Sequence, residues 1–122
     1  RTFLTVSAVV APTREEAERL ALPNLASMVA LRTGQPLRAQ QLVEEVEESN
    51  FSLDASDLAR QMLDRWVVGT PELAAEQLCS LATMFAVDEV MVHPVAGAVR
   101  GTPTDRSPAR EQTLRLLRAA LT

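Results

Sequence analysis

The sequence has no lysine and no tyrosine, a single cysteine (Cys79), a single histidine (His93) and aromatics at only 3% of its 122 residues. Each shortage excludes something. One cysteine cannot close an internal disulfide, so nothing points to an oxidising compartment. Without aromatic platforms, and with a formal net charge of −4, nucleic acid is a poor partner. No apolar run approaches the roughly 18–20 residues of a membrane span, and no signal-peptide pattern is visible. The expectations are no nucleic acid, no membrane and a cytoplasmic location. What is present is ordinary globular material: 47% hydrophobic residues, enough for one domain with a real core.

The most informative stretch runs from Val67 to Pro94. Thr70-Pro71 is a strong helix start, because the threonine oxygen can accept an orphan N–H and proline at the first helical position has none to lose. Glu72 complements the helix dipole. Ala74, Leu78, Leu81, Ala82 and Phe85 then fall on one stripe. The following strand, about 88–93, is short and apolar and ends at His93-Pro94, as expected of a parallel strand buried on both faces.

Upstream, residues 2–11 read as a strand with apolar residues on both faces, closed by Pro12. Thr13-Arg14-Glu15-Glu16 is a capping box that opens a helix at about Arg14. Its apolar face, Ala17, Leu20, Ala21, Leu25 and Met28, continues to about Arg32, with Pro23 expected to kink or split it and Thr33-Gly34 to end it. Residues 35–65 change texture. Pro36 precedes a charged segment with a thin stripe of Leu37, Leu42 and Val46, and the cluster Glu44, Glu45, Glu47, Glu48 reads as a solvated face, with no metal site. Ser52 or Asp54 caps a short helix, 55–65, with Leu58, Met62 and Leu63 inward. This segment reads as an insertion over a surface, outside the main core. Ser107-Pro108 starts a last helix through Leu114, Leu117 and Leu121.

The expected architecture is α/β, with two parallel strands and about five helices in one domain: 1–34, an inserted segment 35–65, and 66–122. Two strands alone make a marginal sheet with open edges. The start at Arg1, directly into a strand-like run, reads as a chain cut from something longer.

Four pieces in order resemble the C-terminal part of the bacterial-luciferase-like family of flavin-dependent monooxygenases and related deazaflavin-dependent oxidoreductases. They are Val9-Val10-Ala11-Pro12-Thr13-Arg14-Glu15-Glu16-Ala17, Leu31-Arg32-Thr33-Gly34, Val67-Val68-Gly69-Thr70-Pro71-Glu72 and Asp88-Glu89-Val90-Met91-Val92. The resemblance implies a fragment of a TIM (β/α)8 barrel, with 35–65 matching a variable, partly lid-forming insertion. It also implies FMN or a deazaflavin as the cofactor of the intact protein, oxidation of a small organic substrate, and a homodimer. The family's catalytic histidine and most anchors for the flavin phosphate belong to earlier strands, so no catalytic residue and no tightly bound cofactor are expected in this chain.

Four residues stand as weak cofactor-binding candidates. Gly69 and Thr70 sit at a helix start that could receive an anion, although a plain cap explains them. His93 ends a strand, where barrel enzymes keep their chemistry, and Arg100, like Arg106, could meet a phosphate or carboxylate. Cys79 reads as a buried, inert thiol, and Met28, Met62, Met84 and Met91 as core filler. The alternatives to an oxidoreductase fragment are a dimerisation module made from a partial barrel and a small anion-binding α/β domain centred on Thr70.

Overall fold

The computed structural model describes residues 3–35, 40–49, 57–103 and 105–121. In chain order the elements are β1 (Phe3–Val10), α1 (Arg14–Arg32), α2 (Val43–Glu48), α3 (Asp57–Arg65), β2 (Val67–Gly69), α4 (Pro71–Phe85), β3 (Glu89–Pro94) and α5 (Pro108–Leu121). The three strands form one parallel sheet in the order β2-β1-β3. Among the described residues the fold is therefore α/β with five helices, but the sheet has three strands and not two. The third, Val67-Val68-Gly69, pairs with Ala8-Val9-Val10; three residues before a helix cap give too little periodicity to separate a strand from a lead-in.

β1 is central, and side-chain alternation divides its two faces. Val6, Ala8 and Val10 join Val67, Ala74, Leu78 and Leu117, with Leu4, Val90, Val92, Leu81 and Leu116 packed around them. This is the layer beneath α4 and α5. On the opposite face, Val9 and Ala11 join Ala17, Leu20, Ala21 and Leu25 of α1, together with Val95 and Ala96. Each valine or leucine buried this way contributes about 1.5–3 kcal/mol.

The second layer is short. It covers the C-terminal ends of the strands and leaves their N-terminal halves open. Phe3 is 60% exposed, Met91 is 55% exposed, and Thr5, Glu89 and His93 are exposed as well. The expectation that the strand at 88–93 is buried on both faces is thus corrected: Val90 and Val92 pack beneath the helices, while Glu89, Met91 and His93 face outward. The same cause exposes Met91. At the far end of α4, Phe85 (56%) and Met84 (73%) are also exposed, so the stripe fades after Leu81 and Ala82. Met62 is buried and Met28 half-buried, as core filler should be. Cys79 is exposed, not buried, since it falls off the Ala74–Leu78 face of α4.

The middle segment also needs correction. Val43, Met62 and Leu63 belong to the core cluster around α1, and Val46 is fully buried. The buried pair of α2 is Val43 and Val46, with Leu42 half-buried just before the helix. Leu37 and the cap positions Ser52 and Asp54 lie outside the described residues.

Local caps follow the sequence. Thr13 Oγ1 accepts the Glu16 N–H at 3.2 Å, and Thr70 Oγ1 accepts the Leu73 N–H at 3.4 Å. Gly34, at φ +77°, takes the left-handed turn after α1. Pro23 does not split α1, which runs unbroken for 19 residues. Its ring packs against Gly97, and the Leu20 carbonyl, next to the interruption, accepts the Gly97 N–H at 2.8 Å.

Candidate functional site

In a parallel sheet every strand delivers its chain to the same end, and ligand sites of α/β proteins gather there. Here that end comprises Ala11 after β1, Gly69-Thr70 after β2 and His93-Pro94 closing β3. Thr113, fully buried on α5, fixes the end of β1: its Oγ1 accepts the Val10 N–H at 3.1 Å and donates to the Ala109 carbonyl at 3.1 Å. β3 continues past Pro94 with a bond from the Val95 N–H to the Ala8 carbonyl at 3.1 Å. The strand ends are therefore held by backbone ladders and one buried hydroxyl.

The open sheet face leads to this end. Its cross-strand register pairs Phe3 with Glu89, Thr5 with Met91 and Ser7 with His93. One step further, Val9 and Val95 are buried with α1. Ser7, half-buried, and His93 thus form the last open pair before the helical layer.

The four cofactor candidates do not converge. Gly69 and Thr70 are separated from His93 by the whole of β1, a distance of roughly 10 Å for two strand spacings. The Thr70 hydroxyl serves as a cap, and the Gly69 carbonyl accepts the Ala11 N–H at 3.2 Å. Arg100 lies in the β3–α5 loop, where its backbone N–H donates to Glu44 Oε2 at 2.7 Å and its Nη2 reaches Glu48 Oε1 at 3.4 Å.

The acidic cluster is exposed in large part but is not merely solvated. Arg19 of α1 donates in fork geometry to Glu47, at 2.9 and 3.0 Å, and stands 3.6 Å from Glu44. The hydrogen bond to Glu47 is the main reason that the Arg19 guanidinium is held above its ordinary value. For Glu44, burial pushes the carboxyl up, but its own backbone N–H, the Arg100 N–H and the charges of Arg19 and Arg100 outweigh it, and the net shift is downward. Glu45 caps α2 by accepting the Leu42 N–H at 2.8 Å. Three of the four glutamates thus tie α2 to α1 and to the β3–α5 loop.

A cleft of about 550 Å³ opens beside this loop, between the first turns of α1 and α5. Glu16, Gln41, Gly97, Arg106, Ser107 and Arg110 are among its lining residues. Arg110 is anchored by an Nε–H donated to the Ala96 carbonyl at 3.1 Å. Among the described residues no three histidine, cysteine or acidic side chains come together as metal ligands, and no helix is long and apolar enough to cross a membrane.

Sequence reading missed Ser7 and Thr113. Ser7 carries a faint signal, a polar residue alternating with Val6 and Ala8. Thr113 bonds to a residue 103 positions away, and no local pattern encodes that.

No protein-family model matches the sequence, and no curated protein matches it significantly. A solved crystal structure, that of apo-MsnO8, matches the fold over 100% of this chain, with a TM-score of 0.69 at 22% sequence identity. The matched part makes up 35% of that protein's chain, so the present chain spans about a third of its length. The likeness is one of fold.

Proposed function

We propose that this chain is the C-terminal portion of a luciferase-like (β/α)8 barrel, a flavin-dependent monooxygenase or oxidoreductase acting on a small organic substrate in the cytoplasm and inactive as an isolated 122-residue unit. The observation that carries the reading is the open N-terminal half of one sheet face. Helices α4 and α5 cover one face, while the other is covered by α1 only at the C-terminal ends of the strands and is open from Phe3 to Ser7 and from Glu89 to His93. In a closed barrel, helices cover only the outer face and the inner one is filled by side chains of the remaining strands. The edges fit the same account. Among the described residues β2 pairs only with Ala8–Val10, so the Phe3–Ser7 stretch of β1 has no strand on that side, and β3 pairs with β1 alone.

The candidates Thr70 and Arg100 do not by themselves suit a flavin phosphate. The Thr70 hydroxyl is used as a cap and Arg100 is engaged by Glu44 and Glu48. The reading therefore assigns the hold on FMN or a deazaflavin to the strands that would complete the barrel, and assigns to this chain one wall of the reaction chamber. The test compares the complete gene product with the 122-residue chain. Flavin binding and flavin-dependent substrate oxidation are expected in the first, and negligible turnover in the second. A complete product that binds neither FMN nor a deazaflavin overturns the reading.

A second reading, an assembly module in which two copies close each other's sheets, is favoured by the single-sided pairing of β3. A tight dimer of the 122-residue chain that lacks flavin, seen by sedimentation, would select it. A homodimer of the complete enzyme is part of the first reading.

A further inference from the structure

We infer that Ser7 and His93 form a hydrogen-bonding pair that positions the uncharged polar group of the organic substrate, and that they do not hold the flavin phosphate. The inference rests on the barrel reading and adds residues and a ligand chemistry to it.

Three observations carry it. First, Ser7 and His93 are cross-strand partners on β1 and β3, so their side chains leave the same face of the sheet side by side. Second, they occupy the last open level of that face. The levels below are Thr5 with Met91 and Phe3 with Glu89, and above them Val9 and Val95 are buried in the cluster with α1. In a barrel the lower levels fill with packed side chains and the chemistry occupies the C-terminal end. A ligand in the chamber would therefore meet Ser7 and His93 before any other polar side chain of these two strands.

Third, the wall has no cation built for phosphate. Across its six positions the side chains are Phe3, Thr5, Ser7, Glu89, Met91 and His93, with no arginine among them. The arginines on this side of the molecule are elsewhere: Arg19 and Arg100 bind glutamates, and Arg106 and Arg110 line the separate cleft. A hydroxyl and an imidazole can each donate and accept one hydrogen bond to a carbonyl or hydroxyl group, while Met91, 55% exposed one level below, offers apolar contact to the rest of the molecule.

The test uses the complete gene product, with FMN and n-octanal as probes in equilibrium binding. Ser7→Ala and His93→Leu are each expected to raise the octanal dissociation constant about three- to tenfold, the range of one neutral hydrogen bond. FMN affinity should change less than twofold, and thermal stability should be unchanged because both side chains are at least partly exposed. Thr5→Ala, one level down, should leave octanal binding unaltered. FMN bound normally by the wild type, with octanal affinity indifferent to both substitutions, would overturn the inference alone. A parallel loss of FMN affinity would place the pair on the cofactor and overturn it too. A wild-type product that binds no flavin removes the barrel reading, and the inference falls with it.

Discussion

The ring of Pro23, in the middle of α1, lies against the backbone of Gly97 so closely that a β-carbon at Gly97 would stand 2.8 Å from its Cβ, 2.9 Å from its Cδ and nearer still to its Cγ. Helix and loop are joined at this point by the bond from the Gly97 N–H to the Leu20 carbonyl. Gly97→Ala should therefore destabilise the protein by about 1–3 kcal/mol through overpacking. Pro23→Ala removes Cγ and Cδ but keeps Cβ, so it should relieve part of the clash and leave the double variant more stable than Gly97→Ala alone. Denaturant titration of the four proteins tests this, and equal stability of Gly97→Ala and wild type would refute it.

Thr113→Val keeps the shape of the buried side chain and removes the acceptor for the Val10 N–H. An unsatisfied buried donor costs about 1–3 kcal/mol, and the loss should appear in equilibrium unfolding. Thr113→Ser retains the hydroxyl and should cost less. A valine variant as stable as the serine variant would show that the bond contributes little.

The Glu44 carboxyl is held below its ordinary value of 4.5. A group depressed in the folded state lends stability that is fully present above its unfolded value and is lost as pH falls through the folded one. The contribution is thus constant at neutral pH and drains away below about 4.5. In Glu44→Gln this part of the acid dependence should be missing, read as the difference between the two unfolding curves over a series of acidic pH values. Parallel curves would contradict the assignment.

Arg19 reaches α2 through exposed contacts, and exposed ion pairs contribute little to global stability. Arg19→Gln should leave the melting temperature nearly unchanged while hydrogen exchange of the α2 amides, residues 43–48, speeds up severalfold. High salt should reproduce part of that effect in the wild type. Exchange indifferent to both would mean that Val43 and Val46 alone hold α2 in place.

Ala86 ends α4 in the left-handed region, at φ 51°. Glycine takes that conformation without the penalty a β-carbon brings. Ala86→Gly should stabilise the protein by about 0.5–1 kcal/mol, measurable by thermal unfolding; a loss of stability would mean that the entropy of the unfolded glycine prevails.

Helix starts were legible because their chemistry is local: Thr13 and Thr70 each find their partner three residues on. The central place of β1 was legible in its continuous apolar run. The exposure of Met91 and His93 was not, because the alternation of β3 gains meaning only once one face has a cover and the other lacks it. β2 was too short to carry a period, and the place of Val43 in the core depends on a bond from its N–H to Ala98, far along the chain. For the site, strand ends pointed to His93, but its neighbour Ser7 comes from a register set across some 80–90 residues of chain.

The central position of β1 has a consequence for biosynthesis. Of the three described strands β1 is made before either of its partners: Val67 follows roughly 60 residues later and Glu89 roughly 85 residues later. At translation rates of about 5–20 residues per second, β1 waits several seconds for β2 and longer for β3. During that interval Val6, Ala8, Val9 and Val10 lack both of the strands that flank them in the finished sheet. Until Val67 and Glu89 have emerged, both edges of β1 are left open to wrong pairing by the absence of these two strands.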